Sequence, residues 1–219
     1  MSRSANVSSF IGATLVLAMP AAIAVWRTEQ VALHAAVNRW HAPWSDALLS
    51  VLTHLADGLV PVVIAAVLLF VGTWRTFLLL GLSTGVSAIV VQVLKRQVFA
   101  DHDRPVMFAN DMPLLHLVDG VAMNHHFSFP SGHATCAFAM GLALAVMDGA
   151  PRRAPLWALG AAVLAFTRVY LSQHFTEDVL AGAGLGVVTG SAAWLILYRT
   201  RWARAPWLDR RPWRTGRTR

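Results

Sequence analysis

The sequence Pro130-Ser131-Gly132-His133 leads directly into fourteen uncharged residues, 134–147. A Pro-Ser-Gly sequence is typical of a turn, and the apolar run after it is typical of a membrane helix. The pattern therefore predicts a loop that becomes the N-terminus of a membrane helix. Free N–H groups and the positive end of the helix dipole collect there, so the terminus favours an anion such as phosphate.

Each residue of this turn has a chemical use in such a site. Ser131 can cap the helix and also donate its hydroxyl, Gly132 lets the backbone turn tightly, and His133 can supply a proton near neutral pH. The tetrapeptide alone also fits an ordinary capped helix start with an incidental histidine. What separates the two interpretations is the set of residues that the chain brings to the same membrane face.

The composition is that of a membrane protein. Only 13% of the 219 residues are charged and 56% are hydrophobic, whereas soluble domains carry about 25% charged residues. The apolar residues fall in long runs, which indicates one polytopic helical domain. Cys136 is the only cysteine, so the chain cannot form an intramolecular disulfide.

The order of the apolar runs predicts an all-α fold, a bundle of six transmembrane helices. The predicted spans cover residues 9–26, 59–73, 76–94, 131–147, 154–171 and 179–198. The first is interpreted as an uncleaved membrane helix rather than a signal peptide, because it has about the length needed to span. A short interfacial helix is predicted over 29–40. Ser45 is predicted to cap a further helix through Leu55, which Asp57-Gly58 breaks. The second span is short for a bilayer and is predicted to extend backward into that helix.

The domain prediction is a single membrane domain over 1–198, with a motif-bearing core at about 57–190, followed by a basic cytoplasmic tail over 199–219. Eight arginines lie at or after Arg199, and they account for most of the net charge of +7. We interpret this tail as a surface-lying or disordered segment attracted to anionic lipids, and not as a nucleic-acid site.

The basic residues are distributed unequally between the two sides of a six-span chain. One side carries twelve, namely Arg3, Arg75, Arg152, Arg153 and the eight arginines from Arg199 onward. The other side carries six, namely Arg27, Arg39, Lys95, Arg96, Arg104 and Arg168. Because cytoplasmic loops are enriched in Lys and Arg, the first side, with both termini, is predicted to be cytoplasmic.

Three polar segments then share the opposite face: the basic end of the third span, the start of the fourth span, and the turn between the fifth and sixth spans. Ionisable residues at helix ends are expensive in so apolar a protein unless they are paired or functional. The segments contribute cations, two histidines, a Ser-Gly helix start and an acid, at positions Lys95, Arg104, Ser131, Gly132, His133, Arg168, His174 and Asp178. This set predicts a phosphate site with acid–base chemistry.

The expected roles follow from side-chain chemistry. Arg104 and Arg168 offer planar forks for phosphoryl oxygens, and Lys95 adds a point charge. His174 and Asp178 are four residues apart, so on a helix they share a face, and the carboxylate leaves one ring nitrogen free as a nucleophile. His133 is then available to protonate the leaving oxygen and to activate water.

The three motifs, in this order, resemble those of the type 2 phosphatidic acid phosphatase superfamily, membrane lipid phosphatases whose site is related to that of vanadium haloperoxidases. The similar elements are Pro130-Ser131-Gly132-His133, Arg168-x5-His174-x3-Asp178 and an upstream Lys with Arg104-Pro105. The resemblance implies a six-helix core, a phosphohistidine on His174, His133 as general acid and Asp178 as the partner of His174. It further implies phosphate binding by Lys95, Arg104, Ser131, Gly132 and Arg168, with no metal and no cofactor.

Two positions depart from the family pattern. The family usually has six residues between its Lys and Arg-Pro, but here Gln97 occupies that position and Lys95 lies nine residues before Arg104. Either Lys95 or Arg96 therefore fills the first-motif role. The third motif usually starts with Ser, and here Thr167 stands at that position, so the hydroxyl group is kept.

The function expected is hydrolysis of a lipid phosphate monoester or diphosphate at the periplasmic face of a bacterial cytoplasmic membrane. Candidate substrates are phosphatidic acid, phosphatidylglycerol phosphate, undecaprenyl diphosphate and lipid A, with a slight preference for the last two. The alternatives are a lipid phosphotransferase with the same phosphohistidine and a non-catalytic lipid-binding or transport protein. The sequence leaves the oligomeric state open.

The remaining histidines are assigned no catalytic role. The loop residues Asp101, His102, Asp103, His125 and His126 are interpreted as a solvated loop in preference to a metal site. His34, His41, His54 and His116 are predicted to lie at the membrane interface.

Overall fold

The computed structural model describes residues 3–213 as a helical bundle without β-strands, which confirms the predicted fold class. The α-helices are α1 (Arg3–Arg27), α2 (Gln30–Asn38), α3 (Pro43–Leu52), α4 (Leu59–Val71), α5 (Trp74–Val93), α6 (Gly132–Asp148), α7 (Ala154–Tyr170) and α8 (Thr176–Arg199). Short 3-10 turns cover Thr53–Ala56, Pro105–Asp111, Arg201–Arg204 and Pro206–Asp209, and a π-helical turn covers Leu94–Val98. The arginines at 214, 217 and 219 of the predicted tail lie outside the described residues.

The predicted apolar stretches all become helices, but they differ in length. Three helices of the described part are long and apolar enough to cross a membrane: α1, α5 with its π-helical turn, and α8. The segment Pro43–Ala56 and α4 form a fourth candidate as a pair bent by 52°. Helices α6 and α7 have 17 residues each, whereas a straight crossing needs about 20. The prediction of six membrane crossings is therefore not confirmed by helix length and stays a prediction.

Helix α3 begins differently from the sequence prediction. Ala42, not Ser45, is the N-cap residue, and Pro43 follows at the first helical position, where its missing N–H loses no hydrogen bond. Ser45 lies one turn further in, and its hydroxyl accepts a hydrogen bond from the Ala42 N–H at 3.1 Å. The Ser45 hydroxyl therefore still satisfies a backbone donor at this helix end.

Helix α6 is the centre of the bundle. Most of its side chains are buried, and it packs against α5, α7 and α8. From α1, the buried Phe10 places its ring edge-on to Phe138, with 6.3 Å between centroids. Helix α4 is peripheral by comparison, with Pro61 as its one buried residue. The turn before α6 is consequently held in the middle of the molecule.

Two glycines of α8 allow that helix to lie directly on the backbone of α6. A Cβ atom at Gly182 would lie 2.5 Å from the Ser131 carbonyl oxygen, and one at Gly186 would lie 2.5 Å from the Thr135 carbonyl oxygen. Small residues permit such close helix approach in membrane proteins. Gly184, between them on the helix, has no atom within 4 Å of its Cβ position.

We expect Gly182→Ala to separate the start of α6 from α8 and so to displace the turn that carries Ser131. Overpacking of this kind costs about 1–3 kcal/mol, so the detergent-solubilised variant should unfold at a lower temperature and lose activity. Gly184→Ala is the matched control and should change neither property. Equal thermal unfolding and activity in the two variants would show that the contact between α6 and α8 is looser than described.

The two ends of the described segment, near Arg3 and near Arg210, lie at one end of the bundle. The Arg3 guanidinium donates to the Val146 carbonyl oxygen at 2.7 Å, and Arg3 and Arg75 both lie over the Tyr198 ring, each 5.2 Å from its centroid. The starts of α1 and α5 thus meet the ends of α6 and α8. The starts of α6 and α8, with the ends of α5 and α7, lie at the opposite end of the bundle.

The first residues after α8 pack against the bundle. Arg75 Nε donates to Asp209 Oδ1 at 2.7 Å, and the Trp74 N–H donates to the Arg210 carbonyl oxygen at 3.1 Å. Leu208 is buried between these contacts. Up to Arg210, therefore, the segment after α8 packs on the bundle through an ion pair and a buried side chain, and its attraction to anionic lipids stays a prediction.

Candidate active site

The three polar segments meet at the end of the bundle opposite the termini. The Ser131 N–H donates to the Asp178 carbonyl oxygen at 2.9 Å, which joins the starts of α6 and α8. The Arg104 guanidinium donates to the Gln173 carbonyl oxygen at 3.0 Å, which joins the long loop to the turn between α7 and α8. All eight residues predicted for the site belong to these segments.

His174 is held through one ring nitrogen. Its Nδ1 lies 3.3 Å from Asp178 Oδ2, and the same carboxylate oxygen accepts hydrogen bonds from the Ser128 hydroxyl and the Phe175 N–H. Both His174 and Asp178 are buried. Nε2 of His174 makes no hydrogen bond within residues 3–213, so the geometry leaves this nitrogen free to act as a nucleophile.

The electrostatic surroundings keep His174 uncharged. Burial and then the charges of Arg104 and Lys95 lower the pKa of His174 well below its ordinary value. Near neutral pH the ring is therefore neutral. With Nδ1 turned to the carboxylate, the lone pair is on Nε2.

The turn after α7 explains the spacing between Arg168 and His174. The N–H groups of Gln173 and His174 both donate to the Arg168 carbonyl oxygen, at 2.9 and 3.1 Å. Ser172 adopts the left-handed conformation, with φ of 52°, which is a common way to end a helix. The arginine and the histidine are thereby fixed relative to each other.

Helix α2 supports this turn, which corrects one sequence prediction. His34 is buried rather than interfacial, and its Nε2 lies 3.1 Å from the Ser172 hydroxyl, to which Asn38 Nδ2 also donates at 3.2 Å. Burial lowers the pKa of His34 to about 4, so this ring is neutral near pH 7. The interfacial helix therefore stabilises the strained backbone beside His174.

Three cations converge on the site without any acidic partner. Lys95, Arg104 and Arg168 are 7%, 8% and 7% exposed, and within residues 3–213 none forms an ion pair. They donate to neutral groups only: Lys95 to the Phe127 carbonyl oxygen, Arg104 to the His126 carbonyl oxygen and Gln173, and Arg168 to the Thr53 hydroxyl. Buried charge without compensation is costly, so the arrangement favours binding of an anion.

The choice between Lys95 and Arg96 is decided by burial. Lys95 lies in the π-helical turn Leu94–Val98 and directs Nζ to the Phe127 carbonyl oxygen at 2.8 Å. Arg96 is exposed. Lys95 is therefore the residue that lies among the site cations, despite its unusual distance from Arg104 along the chain.

The start of α6 adds backbone donors to this positive site. Ser131 is the N-cap residue, and its hydroxyl accepts a hydrogen bond from the Ala134 N–H at 3.4 Å. The N–H groups of Gly132 and His133 donate to no acceptor in the described part of the chain. They are free for the oxygens of a phosphoryl group.

His133 is paired with an acid that the sequence analysis treats only as a helix break. Its Nε2 lies 2.7 Å from Asp57 Oδ1, and the ring is half-buried. Nδ1 of His133 makes no hydrogen bond within the described residues. Asp57 is the only acidic residue over 47–100. An isolated acid in so apolar a stretch is expected to be paired or functional, so the sequence did contain a signal for this residue.

Comparison with known proteins supplies the family. The profile of the PAP2 superfamily matches residues 76–202, which cover all three motifs. The chain belongs to the PAP2 superfamily. Phosphatidylglycerophosphatase B of Bacillus subtilis is similar to it, with 30% identity over 161 residues that cover 67% of this chain and 72% of the relative.

Two solved structures share the fold of this PAP2 protein. Aquifex aeolicus LpxE aligns with a TM-score of 0.64 and 24% identity, over 75% of this chain and 93% of its own. The transmembrane PAP2-type phosphatidylglycerolphosphate phosphatase of Bacillus subtilis aligns with a TM-score of 0.57 and 22% identity, over 89% of this chain and 98% of its own. Family membership and the phosphatidylglycerophosphatase relative identify the chain as a membrane lipid phosphatase, and its relatives indicate a bacterial membrane protein.

The loop histidines of this PAP2 protein, His102, His125 and His126, are exposed. His126 Nδ1 lies 2.6 Å from Asp103 Oδ1 at the surface. No group of three His, Cys, Asp or Glu side chains within residues 3–213 is arranged to hold a metal ion. This loop therefore carries a surface hydrogen bond between His126 and Asp103.

Proposed function

We propose that this protein hydrolyses a lipid phosphate monoester or diphosphate at the outer face of the bacterial cytoplasmic membrane. The reaction would proceed through a phosphohistidine on His174 and without a metal ion. One observation carries the proposal: three buried cations without acidic partners surround a histidine whose Nε2 is free. Fixed positive charge of this kind stabilises the phosphoryl oxygens in the transition state without reorganising.

In the first step, the lone pair on His174 Nε2 attacks the phosphorus atom, and the P–O bond to the lipid breaks. Lys95, Arg104 and Arg168 hold the phosphoryl oxygens, with Ser131 and the Gly132 N–H. His133 gives a proton to the leaving oxygen. Since Nε2 of His133 is turned to Asp57, we assign this transfer to Nδ1. The products are the lipid alcohol, or lipid monophosphate, and phosphorylated His174.

In the second step, water attacks the phosphorus atom and the P–N bond to His174 breaks. His133 Nδ1, now neutral, takes the proton from the attacking water. Inorganic phosphate leaves and both histidines return to their starting protonation states. Asp178 keeps His174 Nδ1 protonated throughout, so the same nitrogen is available for each turnover.

A lateral groove supports a lipid substrate. It has a volume of about 330 Å³, lies between α4, α5 and α6, and reaches Gly132 and His133 at the site. Most of its lining is apolar, including Pro61, Val62 and Val91, which suits a hydrocarbon chain attached to the reacting phosphate. The name of the Bacillus subtilis relative adds weight to phosphatidylglycerol phosphate, beside undecaprenyl diphosphate and the phosphates of lipid A.

Two observations support an outward-facing site with cytoplasmic termini. The site lies at the end of the bundle opposite to the two ends of the described segment, and that second end carries Arg3, Arg75 and the start of the basic tail. A cytoplasmic location of this basic end follows the positive-inside rule.

The decisive measurement is release of inorganic phosphate by detergent-purified protein from a panel of lipid phosphates, with and without a chelator. We expect release from at least one lipid and no loss on chelation, because the fixed cations neutralise the phosphoryl charge. Loss of activity with chelator, restored by a divalent metal, would contradict the metal-free mechanism. If release needed an added acceptor lipid, the protein would be a phosphotransferase.

A further inference from the structure

We propose that the turn between α3 and α4 is a fourth segment of the active site, with Asp57 and Thr53 as positioning residues. Asp57 would hold His133 and stabilise its protonated form, and Thr53 would hold Arg168. The proposal rests on the proposed function, since it assigns partners to its general acid and to one of its phosphate ligands.

The geometry places both residues against the reacting groups. Asp57 Oδ1 accepts from His133 Nε2 at 2.7 Å, and the buried Thr53 hydroxyl accepts from an Arg168 terminal nitrogen at 2.8 Å. Nε of Arg168 is buried without a partner, so Thr53 provides the one hydrogen bond that fixes this guanidinium within the described residues. One short turn, Thr53–Ala56 with Asp57 after it, therefore reaches two sides of the site.

The bend in the chain makes these contacts possible. The helix Pro43–Ala56 meets α4 at 52°, and at the break the backbone of Asp57 is extended, with φ of −64° and ψ of 143°. A continuous helix would place residues 53 and 57 on one face, one turn apart. The break instead leaves the Thr53 hydroxyl directed to α7 and the Asp57 carboxylate directed to α6.

The pairing of Asp57 matches the task of His133. A general acid must carry a proton on the nitrogen that faces the leaving oxygen, so the ring must be doubly protonated when Nε2 is already turned to the carboxylate. A carboxylate at 2.7 Å favours this imidazolium form. The other carboxylate oxygen accepts from Nδ1 of His54, whose side chain is 72% exposed, so Asp57 also links His133 to a solvent-facing ring.

The test compares two phosphate esters whose leaving groups differ in how much they need a proton as the P–O bond breaks. We suggest the phosphate esters of dodecanol and of a dodecyl-substituted nitrophenol, with kcat/KM as the measured quantity because it reports formation of the phosphohistidine. For Asp57→Asn, we expect kcat/KM to fall about 100-fold with the dodecyl ester. With the nitrophenyl ester, whose leaving group is stable as the anion, it should fall only a few-fold.

Thr53→Val should give a different result. It removes the hydroxyl that holds Arg168 but keeps the shape of the side chain, so phosphate binding weakens equally in both substrates. We expect kcat/KM to fall about tenfold for each.

Asp46→Asn is the matched control for Asp57→Asn. Asp46 is another acid of this region paired with a histidine, His116, at 2.9 Å, and its replacement should change kcat/KM by the same factor for both substrates.

His133→Ala separates failure of the inference from failure of the proposed function. If His133→Ala discriminates between the two esters and Asp57→Asn does not, Asp57 has no positioning role and the proposal is overturned. If neither variant discriminates, the general-acid role of His133 itself is wrong, and the proposal is overturned with it. A double variant, Asp57→Asn with His133→Ala, should be no slower than His133→Ala alone, because the two residues act as one unit.

Discussion

Replacing His174 by alanine is expected to lower phosphate release by at least about three orders of magnitude. The reason is geometric: Nε2 of His174, the proposed nucleophile, is free beside the three site cations, and within residues 3–213 no other histidine pairs with a buried carboxylate. The ring is buried and makes two long hydrogen bonds, with the Ser128 hydroxyl and with Asp178, each at 3.3 Å, so its loss should lower the unfolding temperature only modestly. The fall in turnover should be far larger than such a change in stability can cause.

The covalent intermediate gives a second, independent measurement. Rapid quenching of wild-type protein with a ³²P-labelled substrate should trap label that is lost in acid and retained in alkali, as expected for a phosphoramidate. His174→Ala should trap none. His125→Ala is the matched control, since this histidine is exposed in the loop beside the site, and it should behave as wild type. Retained turnover or label in His174→Ala would falsify the nucleophile assignment.

Replacing Lys95 by alanine is expected to reduce kcat/KM by about 10²–10³-fold, the usual effect of removing one fixed donor from a transition-state site. Replacing its neighbour Arg96 should change kcat/KM by less than about twofold, because exposed charges contribute little. The difference follows from position alone: Lys95 is 7% exposed among the site cations, whereas Arg96 is exposed.

Thermal unfolding shows whether Lys95→Ala or Arg96→Ala loses activity because a catalytic contact is missing or because the protein is less stably folded. Lys95 is a buried cation beside Arg104 and Arg168 without an acid, so its removal relieves repulsion. We expect Lys95→Ala to unfold at the wild-type temperature or above while it loses activity. The opposite pattern, an active Lys95→Ala and an inactive Arg96→Ala, would move the first-motif role to Arg96 and contradict the site described.

Several features were predictable from the sequence because they depend on local patterns. Apolar runs interrupted by polar turns predict membrane helices, since backbone groups in a lipid environment must be satisfied within the helix. The motifs around His133 and His174 predict phosphate chemistry because the residue types and their spacing suit it. The predicted helix positions agree with the structure to within a few residues, apart from the first helix, which already begins at Arg3 rather than at residue 9.

Other features depend on contacts between residues far apart in the chain. Asp57 and His133 are separated by 76 positions, and nothing in the local sequence of either indicates the other. The same is true of His34, which the sequence analysis placed at the interface and which supports Ser172 across 138 positions. Such pairs are decided by helix packing, which no single-sequence pattern reports.

The class of molecule, the order of the helices and the residues proposed to bind phosphate and react could all be predicted from local sequence patterns. Three further features became visible only in the folded molecule: Lys95 and not Arg96 is buried among the site cations, Asp57 pairs with His133, and α6 lies against the glycines of α8. The physical reason is that the local pattern sets which groups exist and which helix carries them. Close packing and the bend at Asp57 set which of those groups come within hydrogen-bonding distance.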